Sequence, residues 1–268
     1  MAVIDRFSFE GLEGLRVGRF NIGINTSFIV YRLDGTVIDT GSTNQWRYVK
    51  AYLQEKPLEQ LILTHHHEDH AGNTGSITEL TGIKAVAPEL TVEKIRHSFK
   101  TPLLQKIIWG SPRKADADVL PDDFQLSNGE QVTAIHTPGH AQDMTCYLLP
   151  ERGWLFSADL YLANKLKILR ADENIPEILK SIERVLEYDF DIICCPHRGI
   201  VHDGATKLKE KHDYIVNIAG DAQKLREEGL PVKQIALKLL GKEDLFAKLS
   251  GYNFSRRNLI ASCLDVEF

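Results

Sequence analysis

The chain has 268 residues, 43% of them hydrophobic, and a formal net charge of -5. That length and apolar content suit one principal domain with a small appendage, and the acidic balance gives no global case for nucleic acid, although a local basic patch is compatible with it. Met1-Ala2-Val3-Ile4-Asp5-Arg6 lacks the basic segment and apolar core of a secretion signal, and no apolar run approaches a membrane span, so the expectation is a cytoplasmic protein with no membrane partner.

In chain order, short β-rich runs at 15–20, 27–33 and 36–38 alternate with turns. A helix comes next, which Ser42 or Thr43 can cap and in which Trp46, Val49 and Leu53 recur at helical spacing up to Lys56-Pro57. The apolar run Leu61-Ile62-Leu63 reads as a strand. A short helix around 77–80 is closed by Gly82, a strand covers 84–87, and a helix covers 88–99 with Pro88 at its start. Residues 100–128, with Pro102, Pro112 and Pro121, are less regular. A loop this long inside a domain is often functional, which makes it a candidate lid with Trp109 as a wall of the substrate pocket. Simple pinning of the loop to the core explains the same tryptophan equally well.

Strands are expected again at 131–135, 154–158 and 191–195. From Gly204 the character changes. A long helical pattern through Lys207, Leu208, Ile215, Ile218, Ala222 and Leu225 stops at Glu228-Gly229, and three shorter helices succeed it, with Pro231 and Gly241 bounding one and Ser255 capping the last. The 230–240 piece has the flavour of a helix-turn-helix. Basic and acidic residues are nearly balanced there, so packing or dimer formation is expected in preference to duplex binding. These patterns divide the chain into 1–203, a catalytic domain, and 204–268, a helical extension. Pattern alone gives only mixed α and β.

The chemistry sits in Thr64-His65-His66-His67-Glu68-Asp69-His70, which reads His-x-His-x-Asp-His directly after an apolar run. Imidazole and carboxylate are the ligands that zinc and its first-row neighbours prefer. Residues two apart in an extended segment point the same way, so His65 and His67 can share one ion, while Asp69 and His70, past the bend, can reach a second. Three further segments complete the set. His136-Thr137-Pro138-Gly139-His140 turns at the exit of a strand, Trp154-Leu155-Phe156-Ser157-Ala158-Asp159 ends in a carboxylate able to bridge two cations, and Ile192-Ile193-Cys194-Cys195-Pro196-His197 stops at a ligand. Four strand ends thus offer His65, His67 and His140 to one metal, Asp69, His70 and His197 to the other, and Asp159 between them.

This ordered set, headed by Thr-His-x-His-x-Asp-His-x-Gly, resembles the metallo-β-lactamase superfamily from the Asp39-Thr40-Gly41 turn through His197. The resemblance implies an α/β, four-layer αββα sandwich, here with the C-terminal helices as an addition, some relatives carrying a small winged-helix-like unit there. Zinc β-lactamases of the main group carry a cysteine where this chain has Asp159, so the resemblance points to the glyoxalase II, lactonase and nuclease branches instead. It implies a hydrolase in which two divalent cations, zinc foremost with iron and manganese as alternatives, activate a bridging water toward an ester, thioester or lactone of a small molecule. Asp69 is then the catalytic residue that orients the nucleophile and carries its proton. The alternatives are a phosphodiesterase or ribonuclease of the same superfamily and a non-hydrolytic iron-binding sulfur or redox protein.

The remaining candidates are less specific. Lys165, Lys167 and Arg170 leave the site edge and offer cations to a substrate carboxylate or phosphate, although a solvated strand explains them too. Asp39 can fix the tautomer of a ligand imidazole or merely hold its turn. His66 is expected to point away from the metals, and His97, His136, His202 and His212 to be ordinary histidines. Cys146, Cys194, Cys195 and Cys263 show no ligand spacing and read as buried core filler; adjacent residues on a strand face opposite ways, so at most one of Cys194 and Cys195 can face the site. A homodimer is compatible with all of this.

Overall fold

The computed structural model describes residues 3–20, 26–97 and 101–268. Its first sheet takes seven strands in the order of the chain: β1 (Val3–Phe9), β2 (Leu12–Gly18), β3 (Ser27–Leu33), β4 (Thr36–Ile38), β5 (Gln60–Ile62), β6 (Ala85–Ala87) and β7 (Ala117–Val119). The first four run antiparallel. From β4 onward neighbours are parallel, because helices α1 (Trp46–Leu53), α2 (Thr74–Thr81) and α3 (Glu89–Arg96) carry the crossovers. The second sheet is built from β8 (Phe124–Gln125), β9 (Gln131–His136), β10 (Thr145–Leu149), β11 (Trp154–Phe156), β13 (Ile192–Cys195) and β14 (Gly199–Val201). Between β11 and β13 comes β12 (Leu169–Arg170), which pairs with β15 (Phe254–Ser255) far down the chain.

Strand alternation explains the layers. On β3, Ile29, Tyr31 and Leu33 face inward against Tyr147, Leu149, Trp154, Phe156 and Cys194 of the second sheet, while Phe28 and Val30 turn outward to Val49, Leu53, Ile77 and Val92 of the first helices. The second sheet sends Cys146, Leu148, Leu155, Ile193 and Cys195 outward to helix α5 (Ile175–Val185) and to α6 (Gly204–Glu227). Helix, sheet, sheet, helix is therefore the order of layers expected for the αββα sandwich. Helices α7 (Val232–Leu240), α8 (Leu245–Leu249) and α9 (Arg256–Cys263) come last, and Ile235, Leu259, Ile260 and Cys263 join the same buried cluster as α5 and the outer face of the second sheet. No helix among the described residues is long and apolar enough to cross a membrane.

Three expectations need correction. The strand read at 15–20 is Leu12–Gly18, and a strand unread in the sequence, Val3–Phe9, pairs along its full length with it. Neither Ser42 nor Thr43 caps α1 with its side chain; Ser42 Oγ donates to Asn44 Oδ1 at 2.9 Å instead, and a 3-10 turn Thr43–Gln45 leads into the helix. The helix read at 88–99 ends at Arg96, and positions 98 and 99 lie outside the described residues. The irregular stretch after them holds a short helix, α4 (Leu103–Ile108).

One glycine shows how tightly the second sheet's turn meets α5. Gly139 sits at φ +126°, and a Cβ there would lie 2.6 Å from Ile178 N. Gly139→Ala is accordingly expected to destabilise the fold by about 1–3 kcal/mol, read as a lowered midpoint in denaturant. An unchanged midpoint would show that the turn and helix are free to separate.

Candidate metal centre

The loops that leave β5, β9, β11 and β13 all emerge at one edge of the sandwich, because those strands share an orientation in their sheets. Cross-sheet hydrogen bonds tie that edge together. Thr145 N donates to Thr64 O (3.0 Å), Ile29 N to Pro196 O (2.6 Å), Tyr147 Oη to Leu63 O (2.7 Å) and Tyr31 Oη to Cys195 O (2.8 Å). The ligand loops are thus fastened to strands of the facing sheet, which is what a preorganised site requires.

Two groups of donors result. In the first, His65 Nε2 lies 2.9 Å from His67 Nδ1, which lies 3.0 Å from His140 Nε2, which lies 3.1 Å from Asp159 Oδ2. In the second, Asp69 faces His70 Nε2 at 3.9 Å and His197 Nε2 at 3.6 Å. Asp159 belongs to both: its other oxygen, Oδ1, stands 3.3 Å from His70 Nε2 and 3.2 Å from His197 Nε2. Four ligands about 2.0–2.1 Å from a zinc ion sit about 3.3 Å from one another, so the first group has the spacing of a tetrahedral site. His70 Nε2, His197 Nε2 and Asp159 Oδ1 are buried without a hydrogen-bond partner among the described residues. Orphaned buried donors and acceptors are costly, and three of them converging is the mark of a place made for a cation. The residues present fit a pair of divalent metal ions.

Electrostatics agree with that fit. Burial pushes His65 and His67 well below the ordinary imidazole range, which keeps their nitrogens neutral and ready to coordinate. Burial opposes charge on His140 too, but Asp159 and Glu173 outweigh it and raise the group to about 9; burial is outweighed likewise at His70, by Asp159, Asp39 and Asp69, and at His197, by Asp159 and Asp69. Asp159, despite its burial, is held well below the carboxylate range by His197, His70 and His140. The negative charge that draws protons onto these rings is the charge that would draw a metal.

Three of the ligand imidazoles are oriented from behind. Asp39, left-handed at φ +59°, accepts from Thr64 N at 2.8 Å through Oδ1 and holds His70 Nδ1 at 2.7 Å through Oδ2. Ser27 O accepts from His197 Nδ1 at 2.7 Å, and Glu173 Oε1 lies 2.5 Å from His140 Nδ1. Asp39→Asn suits the same backbone but removes the charge on His70; the second cation is expected to bind 10- to 100-fold more weakly in chelator competition, with the circular dichroism unchanged. Affinity within twofold would leave Asp39 as a turn residue only.

The other sequence candidates divide. Arg170, Trp109, Glu68, Gln105 and Phe254 line a small cavity over the ligands. Arg170 Nη2 lies 2.8 Å from His67 Nε2, and its Nε donates to Asp172 Oδ1 at 2.5 Å. Lys165 and Lys167 are exposed and do not line that cavity, because 161–168 holds bends at 162, 164 and 165 and no strand that would aim them inward. His66 points to Asp143, Nδ1 to Oδ1 at 2.8 Å, while His136 Nε2 meets Gln142 O at 2.8 Å and His212 Nε2 meets Glu183 Oε1 at 3.1 Å, both away from the ligands. Cys194 lies between the sheets and Cys195 on the helix side. Sequence reading missed Glu173, Glu68, Gln105 and Phe254. Glu68 adjoins a ligand in the motif, which is a usable signal; the others arrive from distant segments.

A family model described as the metallo-beta-lactamase superfamily matches residues 21–197. The chain is 24% identical over 192 residues to the lactamase-like protein aptB of Emericella nidulans, covering 70% of this chain and 55% of that protein. It is 23% identical over 246 residues to an atrochrysone carboxyl ACP thioesterase of Claviceps purpurea, covering 85% of this chain and 71% of the relative. The crystal structure of a metallo-beta-lactamase family protein from Thermus thermophilus superposes with a TM-score of 0.67 at 20% identity, over 96% of this chain and 91% of that one. The chain spans 55–64% of the length of the first three curated relatives that it matches. With the family model spanning well over half of the sequence and the fold shared almost end to end, the chain belongs to the metallo-beta-lactamase superfamily.

Proposed function

We propose that this chain is a hydrolase dependent on two divalent metal ions and acting on an ester, thioester or lactone of a small molecule, with zinc as the resident metal. One observation carries the reading: the two oxygens of Asp159 face different donor groups, Oδ2 toward His140 and Oδ1 toward His70 and His197. When bound, such a pair supplies an activated water at neutral pH and a Lewis acid for the scissile carbonyl. His65, His67 and His140 would hold one ion, Asp69, His70 and His197 the other. Asp69 also stands at the cavity, where its carboxylate orients the attacking water and passes a proton to the leaving group. Arg170 anchors a polar or anionic part of the substrate, and Trp109 and Phe254 wall its apolar part.

The composition of that cavity supports a carbonyl substrate over nucleic acid, since Lys165 and Lys167 lie outside it and a single arginine supplies its cationic side chain. The thioesterase named among the relatives supports thioesters in particular. A panel of acyl thioesters, lactones and a bis-aryl phosphodiester, given to zinc-reconstituted protein, tests this. Turnover of a thioester or lactone at least 100-fold above the phosphodiester, and abolished by chelator, is the expected result. Preference for the phosphodiester, or silence on all three with metal bound, would overturn it.

A further inference from the structure

Along α6 the buried stripe runs Leu208, Ile215, Ala219, Ala222 and Leu225. Lys211 stands in that stripe, three residues after Leu208 and four before Ile215, and only 4% of it is exposed. A lysine at a core position needs a reason, because burying an ammonium is costly and leucine or methionine would fill the stripe. Its Nζ donates to Leu160 O at 2.5 Å, one residue past Asp159. Two thiols reach the same turn: Cys146 Sγ donates to Ser157 O at 3.1 Å and Cys195 Sγ to Tyr161 O at 2.9 Å. Side chains from α6, β10 and β13 thus fasten the carbonyls on both sides of the bridging carboxylate. Between them Ala158 adopts φ +42°, a left-handed conformation that a residue with a Cβ holds only when its surroundings enforce it.

We propose that Lys211 is a positioning residue that clamps the 157–161 turn, so that Asp159 presents one oxygen to each group of metal ligands. This rests on the metal-centre reading given above. The clamp acts through the Leu160 carbonyl and not through charge, and the two are separable by sign. A buried cation within electrostatic reach of Glu173 and Asp159 works against divalent metal, so a purely electrostatic Lys211 would hinder metal binding, and its removal would tighten it. Removal of a clamp loosens it.

Lys211→Met keeps the length and apolar packing of the side chain while removing both donor and charge. In metal-free protein the variant is expected to melt within about 5 °C of the parent, while amide exchange at residues 159–162 accelerates at least tenfold. Zinc affinity at the weaker site is expected to fall 10- to 100-fold in chelator competition. Unchanged or tighter zinc binding overturns the inference, and so does a weaker affinity accompanied by a melting temperature lowered by more than about 5 °C, the mark of lost packing. A parent protein that takes up no zinc overturns the metal-centre reading itself, and this inference with it; failure of the variant arm alone leaves that reading standing.

Discussion

Asp159→Asn is expected to leave the chain folded and to lower turnover by about 10³-fold or more, some 4 kcal/mol of barrier. The amide has the shape of the carboxylate, but its nitrogen offers no lone pair and it carries no charge. Both matter here, because one oxygen serves the group around His140 and the other serves His70 and His197. The same charge holds three buried imidazoles in place. Metal content should therefore fall from two ions per chain to one or fewer, measured together with steady-state turnover. A variant that keeps two metals and full activity would remove Asp159 from its bridging role.

A fragment ending at residue 203 is expected not to fold. The sequence suggests a division there, with 204–268 as a helical extension, yet helices of that extension share with α5 the buried cluster on the outer face of the second sheet. Leu208, Ile215, Ala222, Ile235, Leu259 and Ile260 share one cluster with Leu148, Leu155 and Ile193. At about 1.5–3 kcal/mol for each large buried aliphatic side chain, losing the five among them is comparable to the whole stability of an ordinary domain, about 5–15 kcal/mol. The extension also reaches the site. Leu169 and Arg170 pair with Ser255 and Phe254, and Asn253 O accepts from Ala171 N at 2.8 Å, so the segment that carries the cavity arginine is a strand only because the C-terminal segment lies beside it. Far-ultraviolet circular dichroism and a denaturant titration of the fragment decide the matter. A cooperative transition with native-like signal would show that residues 1–203 form an independent unit.

These two cases mark how far the sequence could be read. The seven donors were legible because each lies in a local pattern: alternate histidines after an apolar run, a histidine after Pro-Gly, and a carboxylate or histidine where a β-rich run stops. Local spacing fixes which way such residues face, and the structure brings all seven to one edge. What supports them was not legible, since Glu173 behind His140, Phe254 over the cavity and Lys211 beneath the turn depend on contacts between segments many residues apart. Lys211 left a trace, a charged residue in an apolar stripe. Lys165 and Lys167 fall outside the cavity, because no strand runs through 161–168 to aim them toward it. The first strand went unread because Asp5-Arg6 interrupts its alternation, and its pairing with β2 overrides that weak local pattern.

Two donor groups joined by one carboxylate should behave as two metal sites. Elemental analysis of protein prepared without added metal, then stripped with a chelator and titrated with zinc, addresses it directly. The prediction is two divalent ions per chain at saturation, with turnover lost on stripping and regained in step with the second equivalent. Saturation at one ion per chain, or turnover that survives complete stripping, would contradict it.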